Sequence, residues 1–175
     1  LAAAGWAVTG VDNAPTRLAL VSENLKRVGL AANMVRADVL DWSPDAPAAG
    51  ILLDAPCSAT GIFRRHPDVL HRVRDADIAA LAAQQAAMIR RAADWLLRGG
   101  VMVYATCSAE PAEGEAVVAA LLAERPDLAL APVAAGELPG GITVAAEGWV
   151  RIPPGALADA GGADSFFVAR LRRAG

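Results

Sequence analysis

Cysteine and histidine are scarce, with two of each in 175 residues. Two cysteines do not make a disulfide framework in a chain of this size, so a reducing, cytoplasmic setting is expected. No Cys-x-x-Cys pair is present, and with two histidines a zinc site is not expected. No uninterrupted apolar run is long enough to cross a bilayer, so no membrane partner is expected. The N-terminus lacks the basic segment that opens a signal peptide. Basic residues are not in excess either: 16 Lys and Arg face 19 Asp and Glu, for a net charge of −3. That balance argues against a free-standing domain that grips RNA by charge alone. A Gly-x-Gly-x-x-Gly motif is also missing, which weighs against a plain dinucleotide oxidoreductase. Neither an internal repeat nor a low-complexity linker interrupts the chain.

What is abundant is apolar sequence, 55% of the chain and much of it alanine. The length suits one domain over residues 1–175. Leu1 to Gly5 reads as the last turn of a helix closed by a glycine. A β-run over Trp6 to Val11 ends at Asp12. Pro15 then opens a helix whose apolar stripe is Leu18, Val21, Leu25 and Val28, with Gly29 as its stop. Asn33 to Ala37 is a short strand ending at Asp38. Pro44 to Gly50 reads as a connection. Gly50 to Leu53 reads as a buried strand ending at Asp54, followed by a polar loop to about Asp75.

Ile78, Leu81, Gln85, Met88, Ala92 and Trp95 share one helical face with a single polar member, and Gly99-Gly100 is the expected stop. Val101 to Thr106 is another apolar strand, ending at Cys107. Pro111 opens a further helix through Val117, Val118, Leu121 and Leu122. β-type segments follow at Leu128 to Pro132, Trp149 to Ile152 and Ser165 to Leu171. Strand–helix alternation predicts βαβ crossovers and a mostly parallel sheet. The late strands, joined without long helices, predict an antiparallel hairpin at one edge.

Four strands thus end in a reactive group: Asp12, Asp38, Asp54 and Cys107. In open α/β sheets, ligands bind beyond the carboxyl ends of the strands. A carboxylate at the end of such a strand can accept hydrogen bonds from ribose hydroxyls, the role expected for Asp12. It can equally cap the next helix. Asp38 is placed to accept from an exocyclic amine of adenine, or serves as an ordinary loop carboxylate. Cys57 and Cys107 each follow an apolar strand; the alternative to chemistry is a buried, inert thiol. Arg64, Arg65, His66, His71, Arg72 and Arg74 form one basic cluster and Arg170, Arg172 and Arg173 another. Each is either an RNA contact or a solvated face.

The two cysteines stand in Asp54-Ala55-Pro56-Cys57-Ser58-Ala59-Thr60-Gly61 and Ala105-Thr106-Cys107-Ser108. Together these motifs resemble the RNA cytosine-5 methyltransferases. The continuation Ile62-Phe63-Arg64-Arg65-His66-Pro67-Asp68 is similar to the bacterial 16S rRNA methyltransferases of the RsmB (Sun/Fmu) type. Asp164-Ser165-Phe166-Phe167-Val168-Ala169-Arg170 resembles the ending of that family, with Ser165 where a glycine is usual. The resemblance implies a Rossmann-like class I methyltransferase fold, with a first strand and glycine-rich loop that should precede Leu1. It implies S-adenosylmethionine as cofactor, bound by Asp12, Asp38 and Asp54, and rRNA, 16S in particular, as the partner of a monomer.

By the same resemblance, Cys107 is the thiolate that adds to cytosine C6 and so activates C5. Cys57 assists breakdown of the adduct, and Asp54 bonds the N3/N4 edge of the base. Arg64, Arg65 and His66 would hold nearby phosphates. Two other readings compete. An exocyclic-amino methyltransferase needs no thiol, and the Thr-Cys-Ser motif argues against it. A non-catalytic RNA-binding fragment lacking the cofactor loop would fail to bind cofactor.

Overall fold

The computed structural model describes residues 1–175, the side chain of Ala135 excepted. The chain divides into two compact units, Leu1–Asp45 and Ala46–Gly175.

In the first unit, a 3-10 turn at Ala2–Ala4 closes on Gly5 at φ 85°, as its closing glycine predicts. Strand β1 (Thr9–Asp12) and strand β2 (Asn33–Arg36) pair in parallel, with Asp12 opposite Arg36. Helix α1 (Pro15–Arg27) crosses between them. Pro15 sits in its first turn, where a missing N–H is harmless. Lys26 and Arg27 occupy its last turn, against the negative end of the helix dipole. Gly29, at φ 69°, takes the left-handed conformation that ends it. The expected apolar stripe is there, but Val21 and Val28 remain 45% and 51% exposed. A two-stranded ribbon is too narrow to cover a stripe of four side chains.

The second unit holds a five-stranded sheet. Strand β3 (Ala48–Asp54) runs parallel to strand β4 (Leu96–Thr106), and helix α3 (Asp75–Asp94) makes the crossover. A short helix α2 (Val69–Arg72) lies in the loop before α3. After β4 come a 3-10 turn at Pro111–Glu113, helix α4 (Glu115–Glu124) and strand β5 (Leu128–Leu130). Strand β6 (Val150–Ile152) and strand β7 (Phe166–Arg173) complete the sheet. The antiparallel C-terminal part is built around β7, which lies between β4 and β5 and also pairs with β6.

The core follows from the two periodicities. Met102, Tyr104 and Thr106 alternate along β4, and Phe167, Ala169 and Leu171 along β7, all fully buried. Ile89, Ala92 and Ala93 of α3 and Val117, Val118 and Leu121 of α4 pack on that face. Each large aliphatic or aromatic side chain buried there stabilises the fold by about 1.5–3 kcal/mol. Alanine in α3 lets the helix lie close to the sheet.

Two expectations change. Gly50 to Leu53 was expected to be buried, yet β3 is the edge of its sheet: Leu53 faces the core and Leu52 is 58% exposed. Gly99-Gly100 does not end α3. The helix stops at Asp94, because the Trp95 carbonyl already accepts from the Ala48 N–H (2.7 Å) and Leu96 pairs with Ala48. Gly99, at φ 75°, instead lies inside the β4 segment, where the register with β3 shifts.

Candidate active site

The chemistry-bearing loops leave neighbouring parallel strands at the same end. Asp54, the last residue of β3, is in register with Ala105 of β4. The chain beyond each strand therefore turns over the same sheet edge, and this brings the two thiols together: Cys57 Sγ lies 3.4 Å from Cys107 Sγ. Both are free and partly covered.

Gly61 pins the two loops. Its N–H donates to the Cys107 carbonyl (3.0 Å), and its own carbonyl accepts from the Ser165 N–H (2.9 Å). A Cβ at this position would stand 2.3 Å from the Ser165 carbonyl oxygen and 2.7 Å from that of Cys107. Only glycine permits that approach. Ala59, at φ 58°, takes the left-handed conformation that alanine rarely adopts. Its backbone N–H is aimed at the Cys57 sulfur.

Beneath the thiols lies a buried polar cluster. Glu113 is fully buried. Its Oε1 accepts from the Ser58 N–H (2.9 Å) and from Gln85 Nε2 (3.0 Å). Its Oε2 accepts from the Ser108 hydroxyl (2.5 Å) and from the Ser58 hydroxyl. Gln85 Nε2 also donates to the Pro56 carbonyl (2.7 Å), and the Tyr104 hydroxyl donates to the Glu113 carbonyl (2.7 Å). Burial pushes the Tyr104 phenol well above its usual range. Arg151 donates to the Ser108 carbonyl (2.6 Å), pairs with Glu115 and covers the Phe167 ring at 5.0 Å.

The two thiols are not equivalent. Cys107 is lowered to about 7, chiefly because Cys57 donates a hydrogen bond to its thiolate; desolvation and the negative charges of Asp54 and Glu113 act the other way. Cys57 is pushed far up by the same hydrogen bond and by burial. Near neutral pH Cys107 is therefore the member that ionises, while Cys57 keeps its proton. A thiolate is the nucleophilic form of cysteine.

The remaining expected residues fall as follows. Asp54 is exposed and its side chain accepts no hydrogen bond among the described residues. In the first unit, Asp12 accepts from the Ala14 N–H (2.7 Å) in the turn before α1, which has no side-chain cap, and pairs with Arg17 (2.7 Å), which lowers its pKa. Asp38 accepts from the Leu40 N–H (2.8 Å) in a local turn and is otherwise open. Arg64 donates to the Gly161 carbonyl (2.8 Å), a neutral partner. Arg65 is paired with Asp164 (2.6 Å), so its charge is already balanced. His66 is exposed.

A family profile described as 16S rRNA methyltransferase RsmB/F matches residues 1–172. The chain belongs to the RsmB/F family. It is 43% identical over 172 residues to the ribosomal RNA small subunit methyltransferase B of Pseudomonas syringae pv. tomato, covering 94% of this chain and 36% of that protein. The protein of the same name from Serratia proteamaculans is 46% identical over 136 residues, covering 76% of this chain and 32% of the relative. The chain thus spans about a third of the length of these RsmB relatives. Among solved structures, NSun6 from Pyrococcus horikoshii, crystallised with SFG, superposes with a TM-score of 0.78 at 29% identity, covering 97% of this chain and 42% of that one. The fold is Rossmann-like, as the RsmB/F family implies.

Sequence reasoning found both thiols from the strands that precede them. It missed Glu113, Ser58 and Ser108 as members of the site. One signal was available: Gln85, the lone polar residue on an apolar helical face, has to satisfy its amide somewhere in the interior.

Proposed function

We propose that this chain is the catalytic domain of an S-adenosylmethionine-dependent enzyme that methylates C5 of a cytosine in rRNA, 16S in particular, through a covalent Cys107–C6 adduct. The observation that carries the reading is the 3.4 Å thiol pair with Cys107 as the more acidic member. Cytosine C5 is a poor nucleophile. Addition of the Cys107 thiolate to C6 turns the ring into an enamine and gives C5 the electron density to attack a methyl group. Asp54, exposed beside the thiols, would bond the N3/N4 edge of the base and hold it for attack. Cys57 keeps its proton while Cys107 attacks, then assists removal of the C5 proton and departure of Cys107. The target base has to be unstacked to reach the thiols, which favours loop or single-stranded RNA. Arg64 and His66, which pair with no carboxylate among the described residues, would hold the flanking phosphates. Arg65 would contribute less, because Asp164 already holds it.

The first unit fits the adenosine part of the cofactor. The Arg17 side chain that covers Asp12 is 65% exposed. An ion pair that open is worth little, so Arg17 can swing away and leave Asp12 for a ribose diol. Asp38 keeps one oxygen for an amine. When bound, S-adenosylmethionine supplies an electrophilic methyl group on a sulfonium. Relatives named as rRNA methyltransferases and a neighbour crystallised with SFG support this choice. Two free thiols in near contact suit a reducing, cytoplasmic setting, and a monomer suffices for a site built within one chain.

The test is nucleoside mass spectrometry of rRNA incubated with the protein and S-adenosylmethionine. The reading expects 5-methylcytosine, abolished by Cys107→Ala. Methyl groups on an exocyclic nitrogen, or transfer that survives Cys107→Ala, would sink it.

A further inference from the structure

We propose that Glu113 is a positioning residue: its buried carboxylate ties together the loops that carry Cys57 and Cys107 and so sets the distance between the two thiols. The inference rests on the reading of Cys107 as the nucleophile.

A fully buried carboxylate with no cation is expensive to keep. Arg151, which bonds the Ser108 carbonyl, is paired with Glu115 instead, and no cation pairs with Glu113 among the described residues. Glu113 is made tolerable by four donors: the Ser58 N–H, the Ser58 hydroxyl, the Ser108 hydroxyl and Gln85 Nε2. Those donors are not scattered. Ser58 directly follows Cys57 and Ser108 directly follows Cys107, so each thiol stands one residue from a group that Glu113 holds. Gln85 bonds Glu113 and also the carbonyl of Pro56, the residue before Cys57. The Cys57 loop is thereby gripped on both sides.

Glu113 is itself fixed. The Tyr104 hydroxyl, rising from β4, donates to its carbonyl, and a Cβ on the next residue, Gly114, would stand 2.7 Å from the Phe167 ring. A carboxylate is the side chain with two oxygens that can serve both loops at once. The hydrogen bond between the thiols depends on a separation of 3.4 Å, and a movement of either loop by 1 Å or so would break it. Groups that bear on the Cys107 charge are Cys57, Asp54 and Glu113. Glu113 as a bare charge opposes the thiolate; Glu113 as a tie supports it through Cys57. The two roles have opposite signs and can be separated.

The experiment measures the pH midpoint of Cys107 alkylation by iodoacetamide, residue by residue, in the whole protein. Glu113→Asp keeps the charge but is one methylene too short to reach both loops. Glu113→Gln keeps the reach: its oxygen still accepts from the two N–H donors, and its amide donates to hydroxyls that turn round. Positioning predicts a midpoint that climbs from about 7 toward 9.0 in the Asp variant and stays at or slightly below 7 in the Gln variant. In methyl transfer, the Asp variant loses kcat with little change in KM for RNA. An Asp variant with the wild-type midpoint, or a Gln variant whose midpoint climbs as far, overturns the proposal. Should the Asp variant fail to fold, Ser108→Ala removes one tie and must raise the midpoint; an unchanged midpoint there is equally fatal. Alkylation needs neither RNA nor cofactor. Methyl transfer that persists in Cys107→Ala would therefore defeat the functional reading without moving this readout.

Discussion

Replacing Cys57 by alanine removes the donor that holds the Cys107 thiolate, and the consequence can be worked through. With its thiol at about 7, Cys107 is roughly half ionised at pH 7; returned to the ordinary value of 9.0, it would be about 1% ionised. Thiolate availability falls roughly 50-fold. A more basic thiolate is also a better nucleophile, by roughly 6- to 10-fold over two pH units at the usual Brønsted slope of 0.4–0.5. The net fall in alkylation rate at pH 7 is then roughly 5- to 8-fold, and above about pH 8 the variant reacts faster than the wild type. Iodoacetamide labelling of Cys107 across pH, read by peptide mass spectrometry, gives both numbers. The crossing of the two rate profiles is the signature. A midpoint that stays near 7 in Cys57→Ala would show that the hydrogen bond is not what acidifies Cys107 and would refute this reasoning.

Gly61→Ala forces a Cβ against two backbone carbonyls, at 2.3 and 2.7 Å, neither of which can rotate away. A loss of about 1–3 kcal/mol or more in urea unfolding is expected, together with weaker Cys107 reactivity. Arg64→Ala should weaken RNA binding and reduce the slope of log K against log salt by roughly 1. Arg65→Ala should change that slope less, because Asp164 already neutralises Arg65; fluorescence anisotropy across a salt series checks both. Asp127 is held well below the usual carboxylate range by Arg125, with Arg173 adding to the effect. A lowered folded-state pKa adds stability above the unfolded value of 3.8, and that stability is lost as pH falls further. Asp127→Asn should therefore lower Tm at pH 7, with the deficit shrinking below about pH 4; a deficit independent of pH contradicts this.

The parts of the site that were legible are those announced by local pattern. An apolar run that stops at Asp54 or at Cys107 marks a strand end, and parallel neighbours end together, so the convergence of the two cysteine loops follows from sequence. The buried cluster does not. Glu113 lies in Glu110-Pro111-Ala112-Glu113-Gly114-Glu115, three glutamates at a helix start, and that reads as a solvated first turn with acids favoured by the helix dipole. Only the fold distinguishes them: Glu113 turns inward to Ser58 and Ser108, while Glu115 pairs with Arg151.

Burial was legible only where the sheet is complete. β4 and β7, read as strands, bury every second residue against α3 and α4. β3 has the composition of an interior strand but lies at the sheet edge, so Leu52 stays exposed. Gly99 was misread because a glycine pair after an apolar helix is the usual stop. Here, backbone pairing with Ala48 ended α3 four residues earlier.

The central claim is that Cys107 attacks the base and Cys57 is needed to release it. The most direct measurement incubates Cys57→Ala protein with rRNA and S-adenosylmethionine at about pH 9, where Cys107 is about half ionised even without its partner, and looks for a protein–RNA adduct that survives denaturation. The account predicts that adduct, with its disappearance in the Cys57→Ala/Cys107→Ala double variant. An adduct that forms equally well without Cys107, or methyl transfer with no adduct and no need for Cys107, would contradict it.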